Sequence, residues 1–419
     1  MQLFTGIGLM SGTSLDGIDI ALCHFWQEDL LWKYDIEVAK TYNYSDEWRN
    51  RLLELPNTSA YDYAKTNIDY GHYLGLTLRK FIVEFCKSPN RDSSSVTSGS
   101  QSQSGNIPDV VFDFVSSHGH TIFHQPERHF TAQIGDGETI STYLTRPLIT
   151  NFRNKDVALG GQGAPLVPVG ERDLFTGVNL FLNLGGIANL SILPDKNSHF
   201  QLSTWKKNAH EYTAYDICPC NIVLNFLANK LGLDYDDKGA EARKGIIIPE
   251  LLNYLEDLPF YQLFPPRTLG REWVEEEIIS KINENNHLNN SINNLLHTFC
   301  HHIVKRIMFE VEKFNLKNTK ILITGGGALN QFLMEILTNE LAKCEIEVIQ
   351  ADKKLIEYKE ALIFAYLGLL SLLGQENTLK SVTGAIRSTV SGSIHSPAYD
   401  EKHTDGLRAF LNKKILSFN

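Results

Sequence analysis

Three features of the sequence predict an α/β fold in two domains. The chain is 419 residues long, more than a single hydrophobic core usually grows to, so two domains with a core each are expected. Short apolar runs such as Leu180-Phe181-Leu182 and Lys320-Ile321-Leu322-Ile323 end in glycine-rich turns, as buried strands do. Between them lie longer segments of helical period. The clearest runs from about Ile292 to Phe314, where Leu295, Leu296, Phe299, Ile303, Ile307, Val311 and Phe314 recur at spacings of three and four. That helix is read as core packing and nothing more.

Composition narrows the class. Hydrophobic residues at 42% and charged residues at 21% are ordinary globular values, which sets aside disorder, collagen and a disulfide scaffold. The formal net charge is -10 and the basic residues are scattered, which argues against a nucleic-acid partner. A phosphorylated ligand is still compatible, because backbone amides and one or two local cations suffice to hold an anion. The run from Met1 to Gly8 enters a strand directly, without the basic start and apolar core of a signal peptide. The apolar stretch from Ala361 to Gly374 is too short to span a bilayer and reads as a buried helix, so no membrane partner is expected. The six cysteines form no C-x-x-C pair, and the neighbours Cys218 and Cys220 read as small buried filler. A cytoplasmic, reducing location is expected. Between Ser88 and Asn106 the chain turns to Ser, Gln and Gly with few apolar groups, which reads as a floppy, dispensable surface loop. A second polar segment, from Asp195 to about Tyr212, reads as an extended hairpin or insertion.

One device recurs: an apolar strand followed by glycines with a hydroxyl or amide residue. It appears at Gly8-Leu9-Met10-Ser11-Gly12-Thr13-Ser14, at Leu182-Asn183-Leu184-Gly185-Gly186 and at Ile323-Thr324-Gly325-Gly326-Gly327-Ala328-Leu329-Asn330. A phosphate chain needs backbone N–H groups at close range, and glycine permits both φ > 0 and the near approach of backbone to oxygen. Three such turns are read as converging on one nucleotide. The candidate nucleotide residues are Gly12, Thr13, Ser14, Leu15, Asp16, Gly17, Ile18 and Asp19 in the first turn, Asn183, Gly185 and Gly186 in the second, and Gly325, Gly326, Gly327 and Asn330 in the third. Asp16 and Asp19 are the carboxylates near the first turn, and either could hold Mg²⁺ through water.

The order of these turns resembles that of actin, the heat-shock 70 chaperones and the hexokinases. Those proteins share two phosphate-binding hairpins, one per domain, followed by a glycine-rich adenosine turn. The resemblance implies two actin-like (RNase H-like) domains with a nucleotide cleft between them, which closes by hinge motion. The expected boundaries are 1–146 with 381–419 for the first domain and 147–380 for the second. Met10 and Asn183 stand where an acidic residue commonly precedes each phosphate turn, so magnesium ligation is not copied from actin.

A narrower resemblance covers nearly the whole chain. The opening block Gly8 to Asp19 is similar to that of anhydro-N-acetylmuramic acid kinases. So are Ser117-His118-Gly119-His120-Thr121-Ile122-Phe123-His124-Gln125-Pro126, Asn151-Phe152-Arg153 with Asp156, Gly160-Gly161-Gln162-Gly163-Ala164-Pro165-Leu166-Val167-Pro168 and Asn183-Leu184-Gly185-Gly186-Ile187-Ala188-Asn189. Gly325-Gly326-Gly327-Ala328 with Asn330, Lys359-Glu360-Ala361 and Val382-Thr383-Gly384-Ala385 follow in the family order. Members open the 1,6-anhydro ring of anhydro-N-acetylmuramic acid with water while phosphorylating O6 with ATP. The resemblance therefore implies ATP and Mg²⁺, a small amino sugar as substrate, cell-wall recycling as context, and a homodimer as the usual assembly.

Such chemistry needs a general base for the water. In the family that base is the Asp of an Asp-Thr-Gly-Pro-Gly-Asn turn, which the resemblance places at Asp216 in Tyr215-Asp216-Ile217-Cys218-Pro219-Cys220-Asn221. Ile217, Cys218 and Cys220 replace the Thr and both glycines, so the substrate contact or its rate is expected to differ. Asp216 is read alternatively as the N-cap of a helix from Asn221 to Leu231. The shared block implies substrate roles for His118 and Thr121, while His118, His120 and His124 do not have metal-ligand spacing. Arg153 suits either the lactyl carboxylate of the substrate or a salt bridge to Asp156 or Asp136. Glu360 is placed at the start of an apolar helix, where it either complements the positive end or binds sugar. Two other readings stand beside this one: a related kinase acting on another amino sugar, and a non-enzymatic actin-like ATP-binding module.

Overall fold

The computed structural model describes residues 2–12, 15–86, 112–193, 212–263, 267–284 and 291–397. The Ser/Gln/Gly segment, most of the second polar segment, and Thr13 and Ser14 lie outside these residues. The chain divides into two compact units, Met1–Leu174 with Glu360–Asn419, and Phe175–Lys359.

In the first unit β1 (Leu3–Met10), β2 (Gly17–Glu28) and β3 (Leu31–Asn43) form an antiparallel meander. β4 (Phe114–Ser117) adds parallel to the free side of β1, β5 (His120–Gln125) and β6 (Phe130–Ile134) make a separate hairpin, and β7 (Leu148–Thr150) pairs parallel with β4. Strand β1 is sandwiched between β2 and β4 and buried on both faces, so its sequence is almost continuously apolar instead of alternating. The helix Ala60–Phe85 starts where the Ser59 hydroxyl accepts the Asp62 N–H. It lays Tyr70, Leu74, Leu78 and Phe81, at helical spacing, onto Ile7, Leu9, Ile18 and Val115.

The second unit repeats the plan. β8 (Leu180–Leu184), β9 (Ile187–Ile192) and β10 (Thr213–Pro219) form a meander, β11 (Thr319–Thr324) pairs parallel with β8, and β12 (Ile346–Ile349) pairs parallel with β11. Its longest helix, Ile292–Lys313, has all seven of the residues picked out by periodicity buried or at its capped end. The last of the described strands, β13 (Ser393–His395), returns to pair with β7.

Numbered by appearance within each sheet, the second sheet has the order 3-2-1-4-5, and the first has the same order with β13 added beside strand 5 as a sixth, antiparallel strand; in both, strands 1 to 3 are antiparallel and 4 and 5 parallel to strand 1. Each unit therefore has the actin-like (RNase H-like) topology. The expected boundaries are corrected, however: residues 147–174 and 360–380 belong to the first unit. Strand β7 is only three residues long, too short to read from sequence, yet it builds the first sheet. The helix Lys353–Leu372 carries its apolar part, from Ala361 onward, into the first core.

That helix approaches β1 and β4 almost backbone to backbone. A Cβ on Gly8 would lie 1.9 Å from the Ala361 carbonyl oxygen, and the Ser116 hydroxyl donates to the Phe364 carbonyl at 2.5 Å. Gly8 is thus required by space alone. Gly8→Val should cost about 3 kcal/mol or more by overpacking, lowering the melting temperature of the first unit by roughly 6–12 °C. Unchanged thermal unfolding would show that the helix can retreat.

Candidate active site

The first glycine turn closes the β1–β2 hairpin, whose last pair is Met10 with Asp19. The Leu15 N–H donates to the Gly12 carbonyl, and Leu15 takes a left-handed conformation at φ 60° while its side chain anchors the tip in the core. Gly17 has no room for a Cβ, which would sit 2.6 Å from the Tyr42 carbonyl oxygen. Asp16 is exposed, and the half-buried Asp19 accepts a hydrogen bond from Thr41 Oγ1 at 2.6 Å. Below the turn, the buried Ser11 hydroxyl lies 2.6 Å from the Tyr44 hydroxyl and 2.8 Å from His120 Nδ1. Burial pushes the His120 ring down to about 4, so it is neutral at pH 7. His120 therefore supports the first turn.

His118 and Arg153 form a second cluster in the same unit. The His118 Nδ1–H donates to the Gly119 carbonyl at 3.0 Å, which leaves the Nε2 lone pair to accept from Arg153 Nε and Nη2 at 3.0 and 2.9 Å. Burial, and then the Arg153 charge, hold His118 well below the usual histidine range. Both ring nitrogens are committed, so His118 positions Arg153. Arg153 also donates from Nη1 to the Gly163 carbonyl at 2.6 Å, with N–H groups remaining on both Nη atoms. Desolvation lowers the guanidinium to about 10 against the opposing pull of Glu360 and Asp156, which places Glu360 near it.

The alternative salt bridges of Arg153 are not formed. Asp136 instead caps a short helix through the Thr139 N–H, and Asp156 is fully buried, accepting from Thr383 Oγ1 and the Gly163 N–H, both at 2.8 Å. Asp156 thereby holds the glycine loop 160–163, where a Cβ on Gly161 would fall 2.2 Å from its carboxylate. Thr121 is half-buried on β5, its hydroxyl accepting from Gln133 Nε2 at 3.3 Å. Glu360 does not start a helix: it is seven residues into Lys353–Leu372, which removes the dipole role and leaves a half-buried carboxylate near Arg153.

In the second unit the other two glycine turns converge. Gly325 has φ 82°, and a Cβ there would lie 2.5 Å from Asn183 Oδ1, while one on Gly327 would lie 2.7 Å from Leu184 Cβ. Asn221 lies between both turns: its N–H donates to the Gly185 carbonyl at 3.1 Å and its Nδ2 to the Leu184 carbonyl at 2.9 Å, both in the second turn, while a Cβ on Gly326 or Gly327 of the third would lie 3.4 Å from its side-chain amide. Gly186 packs on Ile222, where an added Cβ would lie 3.1 Å from Cγ1. Asn330 caps the helix Gln331–Lys343 through the Leu333 N–H, so its Oδ1 is already spent. A Cβ on Gly239 would meet that same oxygen at 2.2 Å, so the loop at Asp236 to Ala242, which no sequence motif singled out, packs against the third turn. Its signal was Asp236, whose carboxylate accepts the Glu241 and Ala242 N–H groups, three residues ahead of a glycine at φ 70°.

Asp216 sits on β10 where a bulge interrupts pairing with β9 between residues 216 and 218. It is not a cap: the helix Asn221–Asn229 follows Cys220 and has no side-chain cap at all. The half-buried carboxylate accepts the Leu269 N–H on Oδ2 at 2.8 Å, and among the described residues Oδ1 has no hydrogen-bond partner. Burial raises it to about 6, against the lowering pull of the Leu269 amide and of Arg267. The side chains of Ile217, Cys218 and Cys220 are fully buried in the core, so these replacements do not line a ligand surface.

A sequence profile of anhydro-N-acetylmuramic acid kinases matches residues 4–397. The chain belongs to that family. It is 30% identical to the anhydro-N-acetylmuramic acid kinase of Bacillus cereus (strain B4264), over 94% of this chain and 98% of the relative. It is likewise 30% identical to the enzyme of that name from Psychrobacter cryohalolentis, over 93% of both chains. The family makes it a phosphotransferase. Among solved structures, the activator of the 2-hydroxyisocaproyl-CoA dehydratase from Clostridium difficile with bound ADPNP is similar at 13% identity and a TM-score of 0.37, covering 86% of this chain and 92% of that one. The fold rests on the repeated sheet order and not on that likeness. Among the described residues no helix is long and apolar enough to cross a membrane, and no group of three or more His, Cys, Asp or Glu could hold a metal ion.

Proposed function

We propose that this kinase opens 1,6-anhydro-N-acetylmuramic acid with water and phosphorylates O6 from ATP, giving N-acetylmuramic acid 6-phosphate. The observation that carries the reading is the Asp216 carboxylate, lifted toward neutrality by burial, with one oxygen tied to a backbone amide and the other without a hydrogen-bond partner among the described residues. In this reading Asp216 Oδ1 takes a proton from the water whose oxygen bonds to C1. The C1–O6 bond breaks, its electrons pass to O6, and O6 bonds to the γ-phosphorus as ADP leaves. Arg153, aimed by His118 and Gly163, offers its remaining N–H donors to the lactyl carboxylate, with Thr121 and Glu360 as further sugar ligands.

Gly12 to Asp19 and the converging turns at Asn183 to Gly186 and Gly325 to Asn330 are assigned to ATP. Asp16 and Asp19, as hard oxygen donors, suit Mg²⁺ held through water, which would neutralise charge on the phosphates. We place the reaction in the cytoplasm, in cell-wall recycling, consistent with six free cysteines. The burial of Ile217, Cys218 and Cys220 supports this sugar over a different amino sugar, since none of the three replacements would face it.

A coupled assay with ATP and several amino sugars should find the anhydro form turned over. Asp216→Asn should lower that turnover by at least about a hundredfold while leaving ATP affinity within a few-fold of wild type. Because the base must be unprotonated, wild-type turnover should fall about tenfold per pH unit below the value of about 6 set by Asp216. Near wild-type conversion by the Asn variant would make Asp216 a positioning residue and turn attention to Glu360. Gly186→Val, which has to displace Ile222, should weaken ATP binding far more than sugar binding in calorimetry. Equal effects on both ligands would make that turn purely structural.

A further inference from the structure

The helix Ile292–Lys313 is not only core packing. It brings buried charge to the back of Asp216: Glu310 is fully buried, and its two oxygens accept from Arg267 Nη2 at 2.7 Å and from the Tyr215 hydroxyl at 2.8 Å. The Arg267 side chain is 1% exposed and lies over the Tyr215 and Phe260 rings. Its other hydrogen bonds among the described residues are to backbone: Nη1 donates to the Leu263 carbonyl at 2.9 Å and Nε to the Asp216 carbonyl at 3.1 Å. The Asp216 N–H in turn donates to the Arg267 carbonyl at 3.1 Å, and two residues on, the Leu269 N–H holds the carboxylate.

Residues 267–269 thus hold β10 at Asp216, the residue that pairs with Asn189 of β9 immediately before the bulge. A buried ion pair adds little net stability over an apolar equivalent, so a fully desolvated Arg–Glu pair at this spot calls for another reason. Arg267 does not touch the carboxylate itself. It fixes the main chain on both sides of it.

We propose that Arg267, clamped by Glu310 and Tyr215, is the positioning residue for the Asp216 carboxylate, keeping Oδ2 on the Leu269 amide and Oδ1 open for the proton. The proposal rests on the reading of Asp216 as the base. Among the described residues, the charged and titratable groups around this end of β10 include Tyr215 and Cys218 on the strand and Cys220 just after it, Arg267 and Tyr261 beside it, His302, Arg306, Glu310 and Lys313 on the 292–313 helix, and Glu256 behind Arg306. Of these, Arg267 is the one whose charge acts on the Asp216 carboxylate, and in the lowering sense.

Three variants test this. Arg267→Lys keeps the charge but loses the planar fork; the double variant Arg267→Met with Glu310→Gln removes both halves of the buried Arg–Glu pair together; Tyr215→Phe removes one hydrogen bond from Glu310. Turnover of the anhydro sugar should fall about tenfold or more in both Arg267 variants, and a few-fold in Tyr215→Phe, with the KM for ATP within about twofold of wild type. In the double variant the acidic limb of turnover, and the Asp216 resonance in a ¹³C carboxyl titration assigned with Asp216→Asn, should both move up by about half a pH unit or more. Wild-type turnover and an unmoved titration in folded Arg267 variants would overturn the proposal. So would failure of both to fold, if Tyr215→Phe keeps wild-type turnover and pH profile, since the triad would then serve stability alone. Activity retained in Asp216→Asn sinks the base reading instead, whereas an inactive Asp216→Asn beside active Arg267 variants sinks only this inference.

Discussion

On the proposed reading of Asp216 as the base, desolvation of its carboxylate is the constraint on which the chemistry of the second unit depends. A carboxylate in water is too weak a base to help a water molecule attack, and one buried without partners is simply protonated. Raising it from 3.8 to about 6 amounts to roughly 3 kcal/mol in favour of the protonated form. The Leu269 amide and the Arg267 charge keep that rise from going further. In the proposed reading, the segment 267–269 and Arg267, held by the buried Glu310, set one compromise between basicity and charge.

Asp156 in the first unit shows the other use of a buried carboxylate. Both of its oxygens are bonded, to the Thr383 hydroxyl and the Gly163 amide, and it ties residues far apart in the chain into one loop. With no open oxygen it is structural. The neighbouring His118 is likewise fully committed, and what its neutral ring contributes is the direction of Arg153. On the proposed reading, substrate binding in this unit falls to donors with groups left over, and order is supplied by those with none.

Much of the fold could be read from the sequence because it depends on local period and local turns. The 292–313 helix, the strands at Leu180 and Thr319 and the turns after them all declare themselves within a few residues. What could not be read depends on partners distant in sequence. Periodicity marks Leu295 and Ile303 as core but is silent on Glu310, which is buried only because Arg267 and Tyr215 arrive from elsewhere. Glu360 was misplaced because the polar turn at Lys353-Lys354 hides the true start of its helix. The position of Asp216 follows from the resemblance; the amide on one oxygen, and the other oxygen without a partner among the described residues, which support the proposed base role, are tertiary.

The repeated topology explains why the candidate turns stand where they do. In each unit a turn follows strand 1 and another follows strand 4, at the carboxyl ends of neighbouring parallel strands, where open α/β sheets leave backbone N–H groups to face a ligand. After β1 and β8 come the turns at Gly12 and Gly185; after β4 and β11 come Ser117-His118-Gly119 and Thr324-Gly325-Gly326. The last two are topological equivalents with different contents. Gly119 and Gly325 both have positive φ, so the backbone turn is the same in kind, while the residues around it differ: a histidine that directs an arginine in one, and a glycine-rich helical turn packed on Asn183 in the other. One sheet plan, used twice, can therefore present a charged clamp from one copy and bare backbone from the other. This division is set by a few residues at strand ends and leaves both cores free to pack alike.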